Sequence, residues 1–172
     1  MAKYISTAVS SSIPPITGDG AGDIINAKFT VAVDASLALN DLLLFGKLPA
    51  SHEPVAGYLY STDLDSSTGI VMTVGILNDA GTDLVASTDF ITTSTVAQAG
   101  GLAAFDKVTG LNLAPISAMS ASDIGSGGTV SLVNGNAYVR NGDRIIAGKI
   151  TTAATGTKAA GTVGVSISYK AQ

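Results

Sequence analysis

The stretch that most constrains the fold runs from Leu42 to Leu77, LLLFGKLPASHEPVAGYLYSTDLDSSTGIVMTVGIL. Proline, aspartate and glycine cut it into three apolar runs. Leu42–Leu48 is closed by Pro49, and Val55–Ser61 is opened by Pro54. Ile70–Leu77 is entered through the turn Asp63-Leu64-Asp65-Ser66-Ser67-Thr68-Gly69. Short apolar runs bounded by such residues read as β-strands. In the first, Leu42, Leu44, Gly46 and Leu48 share one face, and Leu43, Phe45 and Lys47 the other. Both faces are apolar, so this strand is expected to be central. In the second, Val55, Gly57 and Leu59 oppose Ala56, Tyr58 and Tyr60. Ser51-His52-Glu53, between prolines, reads as a turn pointing to solvent.

The rest of the chain adds strands to this unit. Asn26–Asp34 alternates, with Ala27, Phe29, Val31 and Val33 on one face. Thr162–Tyr169 alternates strictly, with Val163, Val165, Ile167 and Tyr169 expected inward. Period two over such lengths is the mark of a half-buried strand. Thr129–Val139 and Asp143–Thr151 read as further strands around Asn134-Gly135 and Asn141-Gly142, the favoured hairpin pairs because both turn residues need positive φ. Thr92–Ala99 lacks alternation and precedes Gly100-Gly101. It is predicted as a short helix with Thr92 or Ser94 as N-cap and Gly100 just past its end. Short strands are also expected within Leu102–Ser126.

About eight strands with tight turns predict an all-β, jelly-roll-like antiparallel β-sandwich with one short helix, because each alternating strand must bury one face. The expected division is an extended N-terminal arm over residues 1–22 and a single sandwich domain over 23–172. Ile13-Pro14-Pro15-Ile16 cannot sit inside a sheet, since two prolines remove ladder donors. Two readings of the arm stand. It is a disordered tail, or it lies across a neighbouring subunit, anchored by Tyr4, Ile5, Ile13 and Ile16.

Composition excludes several functions. The chain has no Cys, so disulfides, thiolate metal sites and cysteine nucleophiles are absent. With 13% charged residues, net charge −4 and no basic stripe, it offers no basis for binding nucleic acid. No apolar run is long enough to span a bilayer as a helix. MAKYISTAVSSSIPP lacks a continuous apolar core, so no secretory signal is expected. The sparse charge has two readings: a surface covered by a partner, or a bland monomer coated in Ala, Ser and Thr.

Candidate sites are weak. His52, the one histidine, lacks the partners of a metal centre or a catalytic triad. Asp63 and Asp65 resemble calcium ligands but lack the rest of an EF-hand loop, and capping of the turn is favoured. Gly18, Gly20 and Gly22 follow a Pro-Pro segment rather than a strand, which argues against a phosphate loop. Tyr58 and Tyr60 share a strand face. They suit a core or subunit-contact role better than a sugar platform. No catalytic residue, cofactor or metal is expected.

Two regions resemble tailed-bacteriophage virion proteins. One is LPASHEPVAGYLYSTDLDSSTG with IVMTVGILNDAG, where a strand ending in Leu-Pro leads to an Asp-Leu-Asp turn. The other is GDRIIAGKITTAATGTKAAGTVGVSISYK, and STVAQAGG between them is also similar. The resemblance implies a capsid decoration or cement protein, a jelly roll on the capsid exterior, assembled in the host cytoplasm. The partners it implies are the major capsid protein and other copies of itself, with a trimer favoured. The contact residues expected are Tyr4, Ile5, Ile13, Pro14, Pro15, Ile16, Tyr58 and Tyr60. Absent cysteine fits assembly in a reducing cell. The alternative is a head-fibre base or a host-surface carbohydrate-binding module.

Overall fold

The computed structural model describes residues 1–10, 16–17, 23–49, 52–67, 69–78, 80–85, 89–105 and 143–171. These form two sheets facing each other. The strands are β1 (Lys3–Ile5), β2 (Ile24–Val33), β3 (Leu42–Leu48), β4 (His52–Ser61), β5 (Val71–Ile76), β6 (Ile91–Ser94), β7 (Gly101–Ala104), β8 (Arg144–Thr152) and β9 (Gly161–Ala171). A one-turn helix, α1 (Thr7–Ser10), follows β1, and a single 3-10 turn spans Val96–Gln98.

One sheet has the order β1-β3-β8-β5-β6 and the other β2-β9-β4-β7. Leaving β1 aside, the eight remaining strands make two antiparallel four-stranded sheets with the strand order of a jelly roll. The all-β sandwich expected from the alternation is therefore the observed architecture. Val163, Val165, Ile167 and Tyr169 point inward from β9 and are almost wholly buried. They meet Leu43, Phe45, Met72, Val74, Ile76, Ile146 and Ile150 of the opposite sheet in the main core.

Aromatic rings pack over glycines in this core. A Cβ on Gly46 would lie 2.5 Å from ring atoms of Phe29, and one on Gly57 2.3 Å from Phe105. Phe105 in turn stacks on Phe90 with ring centroids 5.1 Å apart. Glycine is required here for room: each ring occupies the space that a side chain would fill.

Every residue of β3 is buried, on both faces, as its sequence suggested. The reason is a second, smaller core outside its sheet. Val9 of α1 caps Leu42, Leu44, Leu77, Ile145 and Ala147, with Ile5 and Leu84 packed at the margin. This corrects the extended arm. Residues 1–10 belong to the sandwich: β1 pairs in parallel with β3, matching Lys3 to Leu42 and Ile5 to Leu44. The buried Asp41 carboxylate accepts hydrogen bonds from the Ala2 and Ala38 amides, and Ser6 N–H donates to Leu44 O at 3.0 Å. A three-residue strand and a four-residue helix have no periodicity to read.

Two further expectations change. The helix over Thr92–Ala99 shrinks to the 3-10 turn, because Ile91–Ser94 is strand β6 beside β5. Gly100 does take the left-handed conformation, φ 71°, just beyond it. His52 and Glu53 lie in β4 rather than in a turn, and a bulge between Pro54 and Ala56 absorbs the proline. The strand expected over Thr129–Val139 and both Asn-Gly pairs lie outside the described residues.

Candidate contact face

The outer faces of the two sheets differ. The β3 side is plated by its own chain through the second core. Among the described residues, no second core covers the β2-β9-β4-β7 side. Its centre is made of small residues of β9, Gly164, Ser166 and Ser168, flanked by Thr30 and Asn26 of β2 and by Ala56 of β4. Ser168 Oγ donates to Asn26 Oδ1 across this floor.

Tyr58 and Tyr60 both stand on this face, as alternation along β4 dictates. They are not equivalent. Tyr60 is fastened: its hydroxyl donates to Phe29 O at 3.1 Å and lies 2.6 Å from Thr30 Oγ1. The tip of its ring covers Gly164, where a Cβ would come within 2.2 Å. Lys28 Nζ sits 4.8 Å from its ring centroid. A pinned ring with its surface taken up is a poor platform for stacking a sugar. Tyr58 is open, 46% exposed, opposite Ser166 and Ala104.

Four of the seven large apolar side chains exposed among the described residues stand on this face or its rim: Ile24, Val55, Tyr58 and Leu102, the last 66% exposed on edge strand β7. Sequence alternation found the tyrosines. It missed Leu102, because β7 is only four residues long and lies in a region without clear period.

The other expected contacts separate. Tyr4 packs on the main core, and its hydroxyl donates to Asp34 Oδ1 at 2.9 Å. Ile5 packs on the second core. Both therefore hold β1 to its own sandwich. Ile16 is 68% exposed, while its carbonyl accepts a 2.9 Å hydrogen bond from the Tyr169 hydroxyl. Ile13, Pro14 and Pro15 lie outside the described residues.

His52 is buried, not solvated, and its ring meets Tyr169 edge-on at 5.6 Å. Arg144, equally buried, donates from Nη2 to the carbonyls of Pro49 and His52. Burial pushes the His52 imidazole below its ordinary 6.5, Arg144 adds to this, and Asp143 opposes it. A histidine kept neutral in the fold contributes stability that is present above the unfolded value and lost as pH falls below it. His52→Gln is therefore expected to flatten the loss of Tm between about pH 7 and pH 5, a region where few other side chains titrate. Thermal melts across that range check it.

Asp63 and Asp65 organise their turn. The Asp65 carboxylate, 1% exposed, accepts hydrogen bonds of 3.1 Å from the amides of Ser67, Gly69, Ile70 and Gly156 and from the Ser67 hydroxyl. Oxygens that receive this many donors are turned toward N–H groups rather than toward a cation. Among the described residues no cluster of three or more His, Asp or Glu side chains has the arrangement to hold a metal ion.

The jelly roll is shared with two phage capsids. A chain in the capsid of Ralstonia phage GP4 superposes with a TM-score of 0.68 and 22% identity, covering 99% of this chain and 99% of that one. A chain in the capsid asymmetric unit of cyanophage Pam1 gives a TM-score of 0.53 and 22% identity, covering 94% of each. No family model and no curated protein matches the sequence. At this identity the likeness is one of fold. For the Ralstonia phage GP4 chain it extends over nearly the whole of both chains.

Proposed function

We propose that the chain is a structural virion protein that decorates and cements the outside of a bacteriophage capsid, bridging neighbouring major capsid proteins against the pressure of packaged DNA. The observation that carries this reading is the end-to-end match, at near-equal length, to a chain of a phage capsid. The fold suits such a role, being a double-cored sandwich with sparse charge and one sheet face that carries exposed apolar side chains. The role is adhesive and no reaction is assigned to it. Each contact is weak alone, but many copies on one particle reinforce one another. Self-association, with a trimer favoured, and assembly in the host cytoplasm belong to the same proposal.

The test removes the protein from particles and then heats them or lowers the salt. Heads lacking it are expected to release DNA at lower temperature than complete heads. Equal DNA retention would overturn the cementing role. The alternative of a carbohydrate-binding module draws less support, because Tyr60 is pinned against Gly164 and under Lys28. A glycan array probed with the purified protein is expected to show no binding.

A further inference from the structure

We infer that the outer face of sheet β2-β9-β4-β7 is the surface that docks, and that its occupant is an ordered protein shell presenting an apolar patch with a carboxylate opposite Lys28. This rests on the virion reading above and names the partner of that face. Three observations select it.

The first is where the exposed apolar groups lie. Ile24 and Leu102 stand on the two edge strands, Tyr58 stands between them, and Val55 stands at the bulge. The β9 floor between them is Gly164, Ser166 and Ser168, and the one ring lying over it, Tyr60, is held down by its own hydrogen bonds, so a flat partner can approach closely. The opposite sheet has no such need, because α1 and Leu84 already cover it.

The second is charge. The protein carries net charge −4, yet none of the four strands of this sheet contains an aspartate. Glu53 at the rim is paired with Lys170 at 3.1 Å. Lys28 lies beside Tyr60 and, among the described residues, has no carboxylate partner, so it leaves the patch locally positive. Such a patch complements an acidic partner.

The third is size. Four strands at normal spacing, followed over about nine residues, give a face on the order of 500 Å². A stable complex of two free proteins usually buries about 800 Å² on each partner. This face alone is too small to hold a lasting pair in solution. It holds where the partner repeats in register, as on a shell, and many such contacts act together. That selects a shell over a lone second copy.

The test uses purified full-length protein and heads from which it has been stripped. Wild type is expected to rebind saturably. Leu102→Glu and Tyr58→Glu are expected to lose affinity by roughly a hundredfold, as for buried interface anchors. Lys28→Glu is expected to lose roughly tenfold and to remove most of the salt dependence of binding. Leu102→Ser serves as a milder variant should Leu102→Glu alter the melting temperature. Ser10→Glu, on α1 across the molecule, is expected to bind as wild type, and none of these variants is expected to change the size of the protein in solution. If wild type rebinds and the face variants rebind equally well, this face is not the docking surface although the virion reading stands. If wild type fails to rebind, both fall. If the face variants instead change the solution size while rebinding normally, the face is a contact between copies and the proposal is wrong.

Discussion

Asp65→Ala is expected to lower the melting temperature by roughly 10 °C, since a chain of this size loses a few degrees for each ordinary hydrogen-bonded contact removed. The reason lies in how many strands meet at this one carboxylate. Its Oδ1 receives Ser67 N–H, Ser67 Oγ–H and Gly156 N–H, and its Oδ2 receives Gly69 N–H and Ile70 N–H. The β4–β5 connection is thereby locked to the β8–β9 connection. Neighbouring bonds continue the seam: Ser66 N–H donates to Thr157 O at 3.1 Å, and Ala159 N–H donates to Leu64 O at 3.1 Å. Alanine leaves four amides facing an empty space with no acceptor, and buried unpaired donors are among the costliest defects. Asp65→Asn keeps the shape but turns an N–H₂ toward N–H donors, so it is expected to fall between wild type and alanine.

The same carboxylate sets an acid limit. Burial alone raises its pKa, but the bonds from Ser67, Gly156 and Gly69 outweigh this and bring it from 3.8 down to about 2. A carboxylate depressed in the folded state contributes stability that is complete above its unfolded value and lost as pH falls toward the folded one. The wild-type protein is therefore expected to lose stability between about pH 4 and pH 2, with a smaller loss in Asp65→Asn. Melting curves over that range decide it.

Gly46→Ala is the second large effect, expected to destabilise by about 2–3 kcal/mol, at the upper end for overpacking a tight core. The added methyl would sit 2.5 Å from three ring atoms of Phe29. That ring faces the main core, with β3 in front of it and β9 beside it, so it has little room to retreat. Gly164→Ala is expected to cost a similar amount. Its methyl would meet the tip of Tyr60 at 2.2 Å, which can swing toward solvent, but also Phe29 O at 2.5 Å, a backbone atom of the paired strand β2 that cannot. The loss there is expected to be about 2–3 kcal/mol as well, because the clash is relieved only by moving two hydrogen-bonded strands apart. Phe29→Leu in the Gly46→Ala background should restore part of the loss, giving a non-additive cycle. Urea titration of the wild type, the three single variants Gly46→Ala, Gly164→Ala and Phe29→Leu, and the double variant measures all of these terms.

Much of the fold is legible because its long strands have a period. Val163 to Tyr169 and Ala27 to Val33 alternate, and both land with the expected faces inward. The doubly apolar Leu42–Leu48 is recognisable as covered on both sides, though its pattern does not say by what. That cover comes from Val9, Ile5 and Leu84, brought together only by tertiary folding. The turn expected at His52 fails for a related reason. Its flanking prolines suggest a turn, but β4 absorbs Pro54 in a bulge and Arg144, far along the chain, binds the carbonyls of Pro49 and His52. The candidate contact face is half legible: Tyr58 and Tyr60 follow from alternation, whereas Leu102 and the pinning of Tyr60 by Gly164 depend on which strands become neighbours.

The central claim is that this jelly roll works by adhering to a shell. If the chain is the virion protein proposed, cryo-electron microscopy of the heads expected to carry it tests this most directly. Density for the sandwich is expected on the outer surface where neighbouring capsid subunits meet, with the β2-β9-β4-β7 face turned toward them. Heads that lack the protein altogether, or carry it only inside the shell, would contradict it.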